Sequence, residues 1–275
     1  MRRGLLIALL ALLAAPLLAA GFMAYPPVRP RWEAPAPPYE DVVFASDRDG
    51  ARLSGWYLPA PAGTGDRCII IVHGFLNDRL VHGRGLPLTE ALREQGFSVL
   101  LFDLRGQGES GGGPVTFGAR EPWDVAGAVR YVRSRGAEHV GLLGYSIGAV
   151  AALLAAAADP AIEAVVADSA WADLPALYRY LTLADERKVR PAAAVSGLGA
   201  RPLLLIHGTA DRVIPVAESE KLMAAAAGNP LAELWVVPGA RHTHSYEADP
   251  AAYIQRVVGF LNSSVRALTP MPKKA

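Results

Sequence analysis

Six short apolar runs constrain the fold of this chain more than any other feature of its sequence. Residues 69–72, 99–102, 140–143, 162–167, 203–206 and 234–237 are almost wholly aliphatic or aromatic, with Glu163 the one charge among them. They lack the apolar–polar alternation of a strand that keeps one face in water. Strands of this kind bury both faces, as a parallel sheet between helical layers requires. Helix-like segments at 86–95, 122–135, 147–158, 216–227 and 250–261 fall between the runs and can supply those layers. Upstream, Val42-Val43-Phe44 and residues 53–58 flank a turn at Asp49-Gly50, the pattern of an antiparallel hairpin. The order predicts an α/β fold in which a hairpin opens a mostly parallel sheet with helices on both faces. The 275-residue length suits one such domain over 41–265, followed by a short tail at 266–275. Residues 174–198 hold no clear strand yet separate two runs. That is too long for an ordinary connection, and a small helical lid over one end of the sheet is expected there.

The N-terminus carries its own signal. Met1-Arg2-Arg3 precedes an uncharged run over 4–23 that only Pro16 interrupts, and this run supplies much of the excess of a 52% hydrophobic content over the usual globular share. About 20 residues rising ~1.5 Å each would cross a hydrocarbon layer of ~30 Å. The length favours an uncleaved transmembrane anchor over 1–25, with the domain membrane-anchored. A cleaved signal segment, leaving the protein secreted, is the alternative. Leu18-Ala19-Ala20 fits it poorly, because Leu stands where cleavage prefers a small residue. A third reading is a helix docked on the domain. Arg2 and Arg3 favour an internal N-terminus and an extracytoplasmic domain, although Arg29 and Arg31 weaken the asymmetry. Prolines at 26, 27, 30, 35, 37 and 38 then make a stiff linker over 26–40. The net charge of +1 is scattered, so nothing directs the chain to nucleic acid. Cys68 is the single cysteine, cannot form an internal disulfide, and is expected to be a small buried hydrophobe.

Chemistry gathers just past the runs. Gly144-Tyr145-Ser146-Ile147-Gly148 lies between a strand run and an alanine-rich helix former. A serine on a strained strand-to-helix turn needs small neighbours two positions away on each side, because a Cβ there would strike the backbone. Gly144 and Gly148 meet that need, with Tyr145 alongside as support. The following helix aims its N-terminal amides at the same point. Ser146 is therefore the candidate nucleophile, and it needs a base within reach. Run 203–206 leads into His207-Gly208-Thr209-Ala210-Asp211 and places Asp211 at a strand's carboxyl end, where ligand-facing groups of α/β sheets collect. Asp211 is the candidate acid and Asp168 the alternative. Run 234–237 leads into a Pro238-Gly239 turn and then His242, the candidate general base, with His244 the alternative. His207 reads as support for the Asp211 loop, while His82 and His139 show no partner pattern. Run 69–72 leads into His73-Gly74-Phe75. There Gly74 lets the backbone approach a substrate and His73 holds the turn. The amides of Phe75 and Ile147 are the candidate oxyanion donors. Residues 103–110 read as a structural turn, with Asp103 and Arg105 tied into local hydrogen bonds.

Taken together and in this order, the His73 turn, the 103–110 turn, the Ser146 elbow, the Asp211 loop and the His242 turn resemble the α/β-hydrolase superfamily. Within it, the chain looks closest to bacterial single-domain enzymes of the serine aminopeptidase and dipeptidyl-peptidase-like branches. The resemblance implies a sheet of about eight strands, with no metal and no cofactor. Gln107 stands where many relatives carry His, a change of packing, and the short insert before Arg201 argues against a large cap. The expected activity is hydrolysis of a small-molecule carboxylic ester through a Ser-Asp-His triad and an acyl-enzyme. A peptidase acting at free N-termini is the enzymatic alternative, although no acidic pair to bind the amine is evident. A membrane-tethered binding scaffold is the non-catalytic alternative, and such a scaffold has no need of an intact Ser, Asp and His set. Substrate and oligomeric state do not follow from fold or triad.

Overall fold

The computed structural model describes residues 18–26, 38–61, 65–173 and 189–265. Eight strands form one sheet: β1 (Glu40–Ala45), β2 (Arg52–Leu58), β3 (Arg67–Val72), β4 (Ser98–Phe102), β5 (His139–Tyr145), β6 (Ile162–Asp168), β7 (Leu203–Gly208) and β8 (Ala232–Val237). Their order is β1-β2-β4-β3-β5-β6-β7-β8. β1 pairs antiparallel with β2, and β2 antiparallel with β4; every pairing from β4 to β8 is parallel. Each of the six apolar runs lies inside one of the parallel strands.

The helices are α1 (Gly85–Glu94), α2 (Glu121–Ser134), α3 (Ile147–Ala158), α4 (Pro191–Ser196), α5 (Ala217–Ala225), α6 (Ser245–Ala248) and α7 (Pro250–Ser264). The period-two geometry of a strand explains how they divide. On β3, Ile69 and Ile71 join a core with Leu88 and Leu92 of α1 and Tyr253 and Val257 of α7. Cys68, Ile70 and Val72 join the opposite core, with Val125 and Val129 of α2 and Val150 of α3. All six residues of β3 are buried, and each large aliphatic side chain among them contributes roughly 1.5–3 kcal/mol by leaving water. Burial also pushes the Cys68 thiol well above its ordinary range, so it sits as an inert hydrophobe.

Strand order places the site. After β3 the chain steps to one side for β4, then crosses back past β3 to lay down β5 on the other. The connections leaving β3 and β5 diverge at this point, opening a crevice outside their carboxyl ends. Open α/β sheets bind ligands at such reversals. The turn after β3 carries His73-Gly74-Phe75, and the turn after β5 carries Ser146.

The 103–110 turn departs from the expectation of local hydrogen bonds alone. Asp103 does accept from the Glu109 amide (2.9 Å), but its main partner is the Arg79 guanidinium at 2.6 Å. Arg105 pairs with Asp124 of α2 at 2.6 Å and with Asp49 of the opening turn at 2.7 Å. Both arginine side chains and Asp103 and Asp124 are fully buried. A charge without water needs a full countercharge, and weak turn contacts do not supply one. The turn therefore fastens distant segments together.

Among the described residues no helix is long and apolar enough to cross a membrane. Residues 1–17 of the expected anchor, 27–37 of the linker, 174–188 of the expected lid and the tail at 266–275 lie outside the described residues. Residues 18–24 are helical. Met23 joins the hydrophobic core, Pro26 is buried, and the Val115 amide donates to the Ala24 carbonyl at 2.8 Å. The stretch assigned from sequence to the end of the anchor thus rests on the domain.

Candidate active site

Ser146 is the single residue between β5 and α3. Its backbone sits at φ 52° and ψ −117°, a conformation that costs a non-glycine residue about 1–3 kcal/mol and persists only where its surroundings enforce it. Here they do. A Cβ on Gly144 would strike the backbone of Gly148 and Ala149, and one on Gly148 would strike the carbonyls of Val72 and His73. The elbow can therefore press against β3 only with glycine at both positions. The Ser146 amide is spent on the Asp168 carbonyl at 2.8 Å, which ties the elbow to the end of β6.

The loops after β7 and β8 bring an imidazole and a carboxylate to the serine. His242 Nε2 lies 2.9 Å from Ser146 Oγ, and His242 Nδ1 lies 2.7 Å from Asp211 Oδ2. Asp211 is only 8% exposed. Its Oδ1 accepts from the amides of Val213 (2.9 Å) and Ile214 (2.8 Å), and His207 Nε2 stands 3.2 Å from Oδ2. Burial alone would raise its pKa. The hydrogen bonds from His207, His242 and the Ile214 amide outweigh burial and hold the carboxyl well below the usual carboxylate range. Asp211 is thus a fixed anion aimed at His242 Nδ1. That sets the tautomer: Nδ1 carries the proton, and Nε2 is free to accept from the serine hydroxyl.

His207 supports this loop from within. Its ring contacts the Ser219 hydroxyl of α5 and the Ile214 carbonyl as well as Asp211. Burial lowers its pKa, but the Asp211 and Ile214 hydrogen bonds more than offset that, so its value is raised.

The two alternatives weighed from sequence are placed elsewhere. Asp168 points into a buried pocket where it accepts from Ser169 Oγ (2.8 Å) and Tyr253 Oη (2.9 Å), and it has no bond to His242. Burial raises its pKa, against the pull of the two hydroxyls. Its link to the site is indirect, since Ser169 Oγ also accepts from the Thr243 amide at 3.0 Å, next to His242. His244 is turned back on the chain, its Nδ1 2.6 Å from the His242 carbonyl, and it touches neither Ser146 nor Asp211.

The turn after β3 stands beside the serine; a Cβ on Gly74 would lie 3.4 Å from Ser146 Cβ. His73 staples this turn. Its Nε2 accepts from the Leu104 amide at 2.9 Å, so its Nδ1 donates to the Gly74 carbonyl at 2.6 Å. Full burial lowers its pKa and keeps the ring neutral, as a staple of this polarity requires. Neither the Phe75 nor the Ile147 amide donates to an acceptor among the described residues. Tyr145 lies beneath the elbow, its hydroxyl 3.3 Å from that of Tyr253 and its ring under the Arg84 guanidinium.

A cavity of about 460 Å³ opens over Ser146 and His242. Phe75, Phe117, Trp171, Val213 and Ile214 give it apolar walls, and His82 and His244 stand at its side with ring centroids 6.5 Å apart. Sequence reasoning missed these walls, which come from loops without periodic pattern. It also missed Arg84, whose guanidinium bonds the Thr243 carbonyl and pairs with Glu247 at 2.8 Å, bracing the His242 loop. His139 lies far off at the start of β5, paired with Glu163 at 2.7 Å. Among the described residues no group of three or more His, Cys, Asp or Glu side chains is arranged to hold a metal ion.

Comparison with known proteins agrees with this architecture. A profile of the α/β-hydrolase fold matches residues 67–183. YfhR of Escherichia coli O157:H7, itself uncharacterised, is 31% identical over 240 residues, spanning 82% of this chain and 81% of its own. YqkD of Bacillus subtilis, likewise uncharacterised, is 30% identical over 242 residues, spanning 78% of this chain and 76% of its own. Among solved structures, an esterase of Pyrococcus furiosus, Pf2001, matches with a TM-score of 0.73 at 27% identity, over 87% of this chain and 98% of that one.

Proposed function

The chain belongs to the α/β-hydrolase superfamily, and from that membership we propose that it is a serine hydrolase that cleaves carboxylic esters by acyl transfer through Ser146. The observation that carries this reading is the unbroken hydrogen-bond relay at the floor of the apolar cavity, Ser146 to His242 at 2.9 Å and His242 to Asp211 at 2.7 Å. In the first step Ser146 Oγ attacks the ester carbonyl as His242 Nε2 takes its proton. Asp211 stabilises the imidazolium so formed. The amides of Phe75 and Ile147 receive the developing oxyanion, where one such donor is worth ~3 kcal/mol to the transition state. Collapse of the tetrahedral intermediate expels the alcohol, which takes the proton back from His242. Water, deprotonated by the same imidazole, then attacks the acyl-serine and releases the acid.

Esters are favoured over the aminoacyl amides of an aminopeptidase because no carboxylate lines the cavity among the described residues. A free α-ammonium buried there would find no countercharge among the described residues. The esterase of the Pyrococcus match supports the same choice. We take the part of the N-terminal run that precedes the docked residues 18–24 as a membrane tether, with the domain on the extracytoplasmic side. A fluorophosphonate probe tests the chemistry: it should label the wild-type chain and leave Ser146→Ala unlabelled. Labelling of Ser146→Ala at the wild-type level would overturn the assignment.

A further inference from the structure

The residues closing one side of the cavity come from the N-terminal segment. Phe22 and Met23 line it together with Phe75, Phe117 and Ser146, and the segment is held there by the Ala24–Val115 backbone bond and by burial of Met23 and Pro26. A helix at a protein surface ordinarily keeps one polar face for water. Residues 18–25, Leu-Ala-Ala-Gly-Phe-Met-Ala-Tyr, have none. While Met23 faces inward, Leu18 is 73% exposed, Phe22 47% and Tyr25 63%. Leu18 and Phe22, four residues apart, share one side of the helix, and Tyr25 follows at its end. At the cavity mouth, Leu76 (44% exposed) and Val213 (47%) continue the apolar surface beside Phe22. Phe22, Leu76 and Val213 thus set exposed apolar side chains around the entrance, where the uncharged run of 4–23 ends. An apolar rim of this kind, attached to such a run, fits a lipid surface.

We propose that Phe22 and Met23 form a wall of the acyl-chain site, and that this site takes esters bearing a medium-length aliphatic chain drawn from a lipid surface. The inference rests on the ester-hydrolase reading above and adds the substrate class and route of entry. At ~30 Å³ for each water-sized group, the cavity of about 460 Å³ holds a chain on the order of a dozen carbons. Because the wall belongs to the segment that meets the lipid, attachment and substrate fit are coupled: a chain lacking residues 22–24 would have an open-sided site.

The test uses the full chain purified in detergent micelles, with p-nitrophenyl acetate and p-nitrophenyl laurate as substrates. The laurate-to-acetate ratio of kcat/KM should fall roughly tenfold in Phe22→Ser, a change in the range that apolar pocket contacts give. Because Phe22 is half exposed, folding is not at stake. Val43→Ser, a somewhat more exposed apolar position on β1 away from the cavity, should leave both rates unchanged. A ratio unmoved by Phe22→Ser, with both esters still turned over, overturns the wall while leaving the hydrolase reading intact. Absence of turnover and of fluorophosphonate labelling in the wild-type chain overturns the hydrolase reading, and this inference with it. A second arm settles the source: wild-type chain in phosphatidylcholine vesicles should hydrolyse monolauroylglycerol carried in the same bilayer, and Tyr25→Ser should slow it. Turnover of dissolved laurate but not of the bilayer-borne ester would overturn the lipid route.

Discussion

Two buried aspartates stand at the carboxyl ends of adjacent strands, Asp168 closing β6 and Asp211 just past β7, and they have opposite electrostatic fates. Asp168 is surrounded by hydroxyls from Ser169, Tyr253 and Ser245. Asp211 is surrounded by two imidazoles and two backbone amides. Burial raises both carboxyls. Hydroxyl donors fail to reverse that at Asp168, whereas imidazole and amide donors drive Asp211 far below its ordinary value. Place in the sheet does not make a catalytic anion; the donors around the carboxylate do. A triad acid must stay ionised while the histidine beside it gains and loses a proton, and only Asp211 is built for that.

The sharpest way to break this contrast is to neutralise each acid in turn. Asp211→Asn should lower kcat for p-nitrophenyl ester hydrolysis by ~10⁴-fold, because an amide can hold His242 in the wrong tautomer and cannot stabilise the imidazolium. Asp168→Asn should stay within about tenfold of wild type, since its side chain reaches the site only indirectly, through Ser169 and the Thr243 amide and through Tyr253 and Tyr145. Steady-state kinetics on the two variants decide the matter. An equal loss in both would mean that Asp168 shares the role of the acid.

The sequence ranks Asp211 ahead of Asp168 without showing what sets them apart, and the reason is physical. Ser146, Asp211 and His242 were legible because each follows an apolar run, and a parallel sheet sends the ends of such runs to one edge. Asp168 follows a run as well. What distinguishes it is Tyr253, which reaches it only after α7 packs across the sheet, a contact between residues far apart in the chain. The strands and helices were readable for the same local reason, through periodicity and length. Phe22 and Met23 were not, because the run containing them is apolar throughout and shows no face turned toward a partner. Arg79 and Arg84 look like ordinary surface arginines until the fold seals them against Asp103 and the Thr243 carbonyl.

Smaller effects probe the two environments through stability. Tyr253→Phe removes the hydroxyl donor to Asp168 Oδ2 and leaves a buried carboxyl oxygen short of a partner, a loss of about 1–3 kcal/mol. Thermal denaturation should register it as a lower Tm, and an unchanged Tm would show that the hydroxyl contributes nothing there. Asp168→Asn should reveal a pH dependence of defined sign. The folded state holds this proton more tightly than the unfolded chain, so wild-type stability is greatest below the unfolded value near 3.8 and declines as pH rises toward the raised folded value. Any Tm deficit of Asp168→Asn at pH 4 should therefore shrink by pH 7. A deficit that grew would place an ionised, well-paired Asp168 in the folded protein.

His207 gives the subtlest test, because it belongs to the Asp211 side and its own charge depends on pH. Its folded value is raised from 6.5: burial opposes the charged ring, and the hydrogen bonds to Asp211 and the Ile214 carbonyl prevail. A raised value means that the protonated ring is better held in the folded protein than in the unfolded chain. The resulting stabilisation is complete below about pH 6.5 and is lost as pH rises through the folded value. Asp211 stays ionised throughout this window, so its own titration does not intrude. His207→Gln keeps a donor toward Asp211 but never carries charge. Its Tm deficit relative to wild type should be larger at pH 5.5 than at pH 8.5, leaving at high pH only the part due to altered hydrogen bonding. A deficit independent of pH would mean that His207 is neutral in the folded state and that the two main-chain amides, with His242, suffice to keep Asp211 anionic.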